Sequence, residues 1–167
     1  LLVGLKRVDP NAPDYTSLDD PERRDGIRGS ELDATNMERL LLDHGGFVIY
    51  KLLNEKATSR SILENIDLAA SSLNAGDLFF FFFSGHGDQI KDDNGDEIDH
   101  KDEALAAYDR RIIDDELPPR WARFRPGVRI LMISDTCNSG TIFRGQAPRI
   151  AGLALEAPLQ IKASLIH

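Results

Sequence analysis

Two apolar runs stand out in the chain, Leu78-Phe79-Phe80-Phe81-Phe82-Phe83 and Val128-Arg129-Ile130-Leu131-Met132-Ile133. Each is too continuous for a half-exposed strand and predicts a strand buried on both faces, as parallel sheets require. Leu1 to Leu5 and Phe47 to Leu53 read as two further strands. Between them, Leu32, Met37, Leu40 and Leu41 recur at helical spacing from Glu31 to about His44, and Gly45-Gly46 supply the stop. Thr58 is placed to cap a helix whose apolar face carries Ile62, Ile66, Ala69 and Leu73 and which ends near Asn74. The order βαβαβ predicts an α/β fold, a mostly parallel sheet sandwiched between helices.

The rest is more polar. Lys6 to Gly29 is rich in Pro and Asp and reads as a long surface loop, and Asp88 to Glu103 as an acidic loop containing glycine. Asp114-Asp115-Glu116 read as the negatively charged first turn of a helix carrying Leu117, Trp121 and Phe124, with Pro118 and Pro119 near its start. Past Gly140 the pattern weakens, and no internal repeat or low-complexity segment occurs. Residues 1–167 are expected to form one domain. The chain opens without Met inside an apolar run, so a piece of a longer protein is expected, incomplete on its C-terminal side.

Net charge narrows the partners. At −8, with a pI near 4.9, the chain lacks the clustered Lys and Arg on which phosphate binding relies, so no nucleic-acid partner is expected and a cationic one is favoured. No window approaches the ~20 apolar residues of a membrane span, and no secretory signal pattern precedes the first strand. A single cysteine, Cys137, excludes an internal disulfide and suits a reducing, cytoplasmic setting. Oligomeric state is not readable from these features.

Candidate chemistry lies at the ends of the two buried runs. Ser84-Gly85-His86-Gly87 follows one, and Asp135-Thr136-Cys137-Asn138-Ser139-Gly140 follows the other. In a parallel sheet both motifs leave the same C-terminal edge, where open α/β sheets place their sites. An imidazole can take the proton of a thiol and later return it to an amine, so His86 and Cys137 suit acyl transfer. Backbone N–H groups near Gly87 and Cys137 suit an oxyanion. The plain alternative is a loop histidine and a small buried thiol. Asp135 suits a basic side chain of the substrate, or else a local turn. Asp102, Asp114 and Asp115 suit a hard cation or a solvated acidic face. Asp92 to Glu97 is not an EF-hand loop, because Glu97 stands where glycine is needed.

Phe83 to Gly87, Asn94 to Glu97, Asp102 to Leu105, Ile112 to Leu117 and Asp135 to Gly140 together resemble the metacaspases and bacterial caspase-like peptidases in order and spacing. Leu1 to Gly4 and Gly26 to Ala34 are similar to that family's first strand and its loop into the first helix. The resemblance implies a caspase-like three-layer αβα sandwich, here its large-subunit region, and a cysteine endopeptidase acting on peptides or proteins. By it, His86 and Cys137 are the catalytic dyad. Asp33 and Asp135 line the pocket for Arg or Lys before the scissile bond, and Asp102, Asp114 and Asp115 are carboxylates that bind an activating calcium ion. Three features depart from the family pattern. Arg144 stands seven residues after Cys137 where a fourth calcium carboxylate is expected, so calcium is compatible but not required. Asn138 replaces a common histidine, and the segment between Glu103 and Asp114 is short. Arg144, Arg149 and Lys162 are candidate self-cleavage positions. The rival readings are a catalytically inactive caspase-like scaffold and a calcium-binding regulatory module.

Overall fold

A strand with five consecutive phenylalanines needs an apolar layer on each side, because successive side chains point to opposite faces. The computed structural model, which describes residues 1–15, 27–91, 101–136 and 162–166, supplies both layers. In chain order the elements are β1 (Leu2–Gly4), α1 (Ser30–His44), β2 (Lys51–Leu53), α2 (Ser59–Ser72), β3 (Leu78–Ser84), β4 (Gly87–Lys91), β5 (Lys101–Ala106), β6 (Arg111–Ile113), the one-turn helix α3 (Pro118–Trp121), β7 (Arg129–Asp135) and β8 (Lys162–Ile166). Phe79, Phe81 and Phe83 of β3 enter a core with Ile62, Leu63 and Ile66 of α2, with Leu117 and Phe124. Phe80 and Phe82 enter a second core with Ala34 and Leu41 of α1. One strand thus joins the two halves of an αβα sandwich.

The main sheet runs β2-β1-β3-β7-β8, parallel except for the antiparallel pair β7/β8. Because β1 leads outward to β2 and the chain returns past it to β3, the strand order reverses beside β1. Such switch points open a crevice at the carboxyl ends of the strands. Thr58 caps α2, its Oγ1 accepting from the Ser61 N–H at 3.1 Å. Among the described residues no helix is long and apolar enough to cross a membrane.

Four expectations need correction. The stretch read as an acidic loop after His86 contains most of β4 and the first half of β5, which with β6 form a separate antiparallel sheet, order β4-β5-β6; residues 92–100 lie outside the described part. Small side chains such as Ala104 and Ala106 let these strands pair without an apolar run to announce them. The segment read as a surface loop from Lys6 packs Val8, Ala12 and Tyr15 against Ala106 of β5, a strap over the small sheet. Of Phe47 to Leu53 only the last three residues form a strand, because β1 offers only three partners. Asp114–Glu116 form a separate 3-10 turn, and Pro118 and Pro119 open α3. A proline has no N–H to donate to a carbonyl in the preceding turn, so one continuous α-helix from Asp114 is not available.

Candidate active site

Gly4, Ser84 and Asp135 are the last residues of β1, β3 and β7, and they stand in one row: Gly4 pairs with Ser84 and Ser84 with Asp135. A Cβ on Gly4 would lie 2.5 Å from the Ser30 carbonyl oxygen and 2.9 Å from the Ala34 Cβ. Glycine therefore allows the first turn of α1 to lie directly on the strand end. That turn carries Asp33, whose Oδ2 accepts from the Ser84 hydroxyl at 3.3 Å. The helix begins without a side-chain cap, and the Asp33 N–H reaches back to the Gly29 carbonyl at 2.8 Å.

Asp33 and Asp135 are thus brought to one edge. Burial, and then the negative charge of Asp33, hold the Asp135 carboxyl above the usual carboxylate range. Two like charges that raise each other's energy in a partly desolvated site are relieved by a cation. The resemblance singled out both residues; Ser84, which holds Asp33 in place, carries no such signal beyond its position before the Gly-His-Gly.

His86 stands where the chain leaves the main sheet for the small one. The Gly85 N–H donates to the Asp135 carbonyl at 3.3 Å, and the Ala106 N–H donates to the His86 carbonyl at 3.0 Å. His86 is therefore tied on one side to the end of β7 and on the other to β5. The bond from Ala106 to His86 makes the next pair, Gly87 with Leu105, a non-hydrogen-bonded position of the antiparallel ladder, so the Gly87 N–H is turned away from β5. Cys137 follows Asp135 by two residues, as His86 follows Ser84. Cys137, Asn138, Arg144 and Arg149 lie outside the described residues.

Asp102 of β5 and Asp115 of the 3-10 turn act electrostatically on Asp114, together with a fourth carboxylate that sequence reasoning did not single out. Glu103 pairs with Gln89 in the ladder and is only 1% exposed; its Oε1 accepts from Gln89 at 3.3 Å. Burial, followed by the charges of Glu103, Asp115 and Asp102, pushes the Asp114 carboxyl up to about 7. Glu103 Oε2 and Asp114 Oδ1 are buried without a hydrogen-bond partner among the described residues. These oxygens are chemically suited to a hard cation. Among the described residues, however, no group of three or more His, Cys, Asp or Glu side chains stands where it could hold a metal ion. The described carboxylates alone do not complete a calcium cradle.

A model of the Metacaspase, peptidase C14 domain family matches residues 14–145. The chain is 37% identical over 130 residues to Metacaspase-3 of Arabidopsis thaliana, covering 70% of this chain and 36% of that protein. It is 32% identical over 133 residues to Metacaspase-1 of Botryotinia fuckeliana, covering 71% of this chain and 32% of that protein. The crystal structure of a protein from Geobacter sulfurreducens superposes with a TM-score of 0.71 at 35% identity, over 84% of this chain and 50% of the other. The chain thus spans about a third of the length of these curated relatives. Its sheet order, the histidine and cysteine motifs after neighbouring strands, and a family match over most of its length agree, and the chain belongs to the metacaspase family of peptidase C14 domains.

Proposed function

We propose that this chain carries the catalytic region of a cysteine endopeptidase that cleaves after Arg or Lys. The supporting observation is the acidic pair Asp33 and Asp135, held at the strand ends from which His86 and Cys137 continue. A guanidinium or ammonium entering between the two carboxylates relieves their repulsion and gains charge-assisted hydrogen bonds. The scissile carbonyl then lies beyond it, toward the histidine and cysteine motifs.

In this reading His86 takes the proton of the Cys137 thiol. The thiolate adds to the carbonyl carbon, and the resulting oxyanion is met by the backbone N–H groups of Gly87 and Cys137. As the C–N bond breaks, His86 gives its proton to the departing amine, leaving a thioester on Cys137. Water, deprotonated by His86, adds to the thioester; the carboxylic acid product leaves and the thiol is restored. A reducing compartment such as the cytoplasm keeps that thiol available. Calcium, the cation the family resemblance implies, enters no step here; its place in our reading is confined to the carboxylate cluster on the small sheet.

Peptide substrates ending in Arg, Lys or Asp before a fluorogenic leaving group test the proposal. Cleavage of the Arg and Lys peptides, at least 100-fold reduced by Cys137→Ala, is expected, a loss on the order of that seen when a nucleophile is removed. No cleavage by folded protein with or without calcium would point to a non-catalytic scaffold, and undiminished cleavage in Cys137→Ala would remove Cys137 as the nucleophile.

A further inference from the structure

We propose that the largely buried pair of Arg111 and Asp88 is a positioning device for His86, an inference that rests on reading His86 as the general base. Asp88 lies two residues beyond His86 on β4, and Arg111 opens β6. Among the described residues, β4 is an edge strand of the small sheet, with β5 as its only ladder partner. An edge strand paired on one side needs a further tie if the residue at its start is to hold a fixed orientation. By the ladder, Asp88 pairs with Ala104 and Arg111 with Ala106, so the two charged residues share one face and meet across β5 over small side chains.

The tie is specific. Arg111 Nε donates to Asp88 Oδ2 at 2.7 Å, and the two side chains are only 15% and 12% exposed. Arg111 Nη1 donates to the Asp14 carbonyl at 2.7 Å, and its backbone N–H donates to Asp14 Oδ2 at 2.8 Å. The guanidinium carbon lies 5.3 Å from the centre of the Tyr15 ring. The Tyr15 hydroxyl in turn donates to the Ala107 carbonyl at 2.7 Å. A buried ion pair seldom adds net stability over an apolar pair of like volume, because both charges lose water. What it supplies is direction. This one locks β4, β6 and the strap of residues 8–15 into one arrangement beside the histidine.

The pair also sets the local field. The charged groups on the elements next to this stretch include Asp88 on β4, Asp102 and Glu103 on β5, Arg111 on β6, Asp14 on the strap, Asp109 just before β6, and Asp33 and Asp135 at the main-sheet edge. Removing one member of the pair changes the net charge beside this stretch by one unit, in opposite senses for the two members. Histidine-labelled 167-residue chain reads this directly by NMR, with the His86 ring signal assigned by its absence in His86→Gln. Arg111→Met is expected to raise the His86 titration midpoint, and Asp88→Asn to lower it, each by roughly half a unit to one unit. Arg111→Lys, which keeps the charge, is expected to stay closer to the unmodified protein than Arg111→Met.

In cleavage assays both neutral variants are expected to lose roughly tenfold in kcat with KM little changed. Midpoints that stay put, or move the same way in both variants, would overturn the inference, as would opposite shifts with kcat unchanged in a chain that cleaves. Should Arg111→Met fail to fold by circular dichroism, Asp88→Asn decides alone: a lowered midpoint supports the inference and an unchanged one removes it. The titration needs no substrate. Opposite shifts in a chain that cleaves nothing would therefore sink the peptidase reading and leave the placement of the pair intact.

Discussion

In the proposed function, Asp135 is the residue on which substrate choice turns. Its carboxyl is held above the usual range first by burial and then by Asp33, so it loses its charge at a higher pH than an exposed aspartate would. Once it is protonated, only one negative charge faces an incoming Arg. kcat/KM for Arg peptides is therefore expected to fall on acidification with a midpoint above the ordinary aspartate value of about 3.9. Asp33→Asn is expected to move that midpoint downward, because a like charge has gone, while lowering kcat/KM for Arg peptides roughly 10- to 100-fold through the lost charged hydrogen bond. A pH series on the two proteins checks both signs. Asp135 was legible as a residue type beside a motif, and Asp33 through the family resemblance. Ser84 and Arg111 were not: their roles depend on which strands pair, and a hydroxyl or guanidinium alone does not indicate its partner.

At the scale of elements, the close seat of α1 on β1 brings Asp33 to Ser84. Gly4→Ala would force a Cβ against the Ser30 carbonyl and Ala34, so the helix must lift. Overpacking of this kind is expected to destabilise the fold by about 1–3 kcal/mol, read as a lower midpoint in urea, with KM for Arg peptides rising as Asp33 moves away. The long periodic elements could be read in advance. Helix α1 begins one residue before the predicted Glu31, α2 has its Thr58 cap, and β3 and β7 occupy their apolar runs. The small sheet could not. Its strands carry Asp88, Gln89, Asp102 and Glu103 among small residues, so they show neither alternation nor a continuous apolar run. The strap escaped notice for a related reason, since Val8, Ala12 and Tyr15 are spaced irregularly through polar residues and cluster with Ala106 of β5.

Across the whole molecule, the two sheets meet at His86, and stability and function draw on opposite uses of charge. Asp114, pushed from 3.8 to about 7 by burial and by its carboxylate neighbours, binds its proton more tightly in the folded state than in the unfolded one. Below about 4 both states are protonated and the repulsion is absent. Stability is therefore expected to fall as pH rises through the window from about 4 to 7, and to level off above it. Asp114→Asn is expected to flatten that fall and raise Tm at pH 8 by a few degrees, measured by calorimetry across the window. A flat profile in the unmodified protein would show that the carboxylates are not frustrated. The central claim, a Cys137 thiolate beside a pocket selective for basic side chains, is tested most directly by labelling. The chain is incubated with matched peptidyl chloromethyl ketones ending in Arg or Asp, and the adduct is located by mass spectrometry. The account predicts a thioether on Cys137 from the Arg reagent, formed much faster than from the Asp reagent and slowed in Asp135→Asn. Equal labelling by both reagents, or none by the Arg reagent in folded protein, would contradict it.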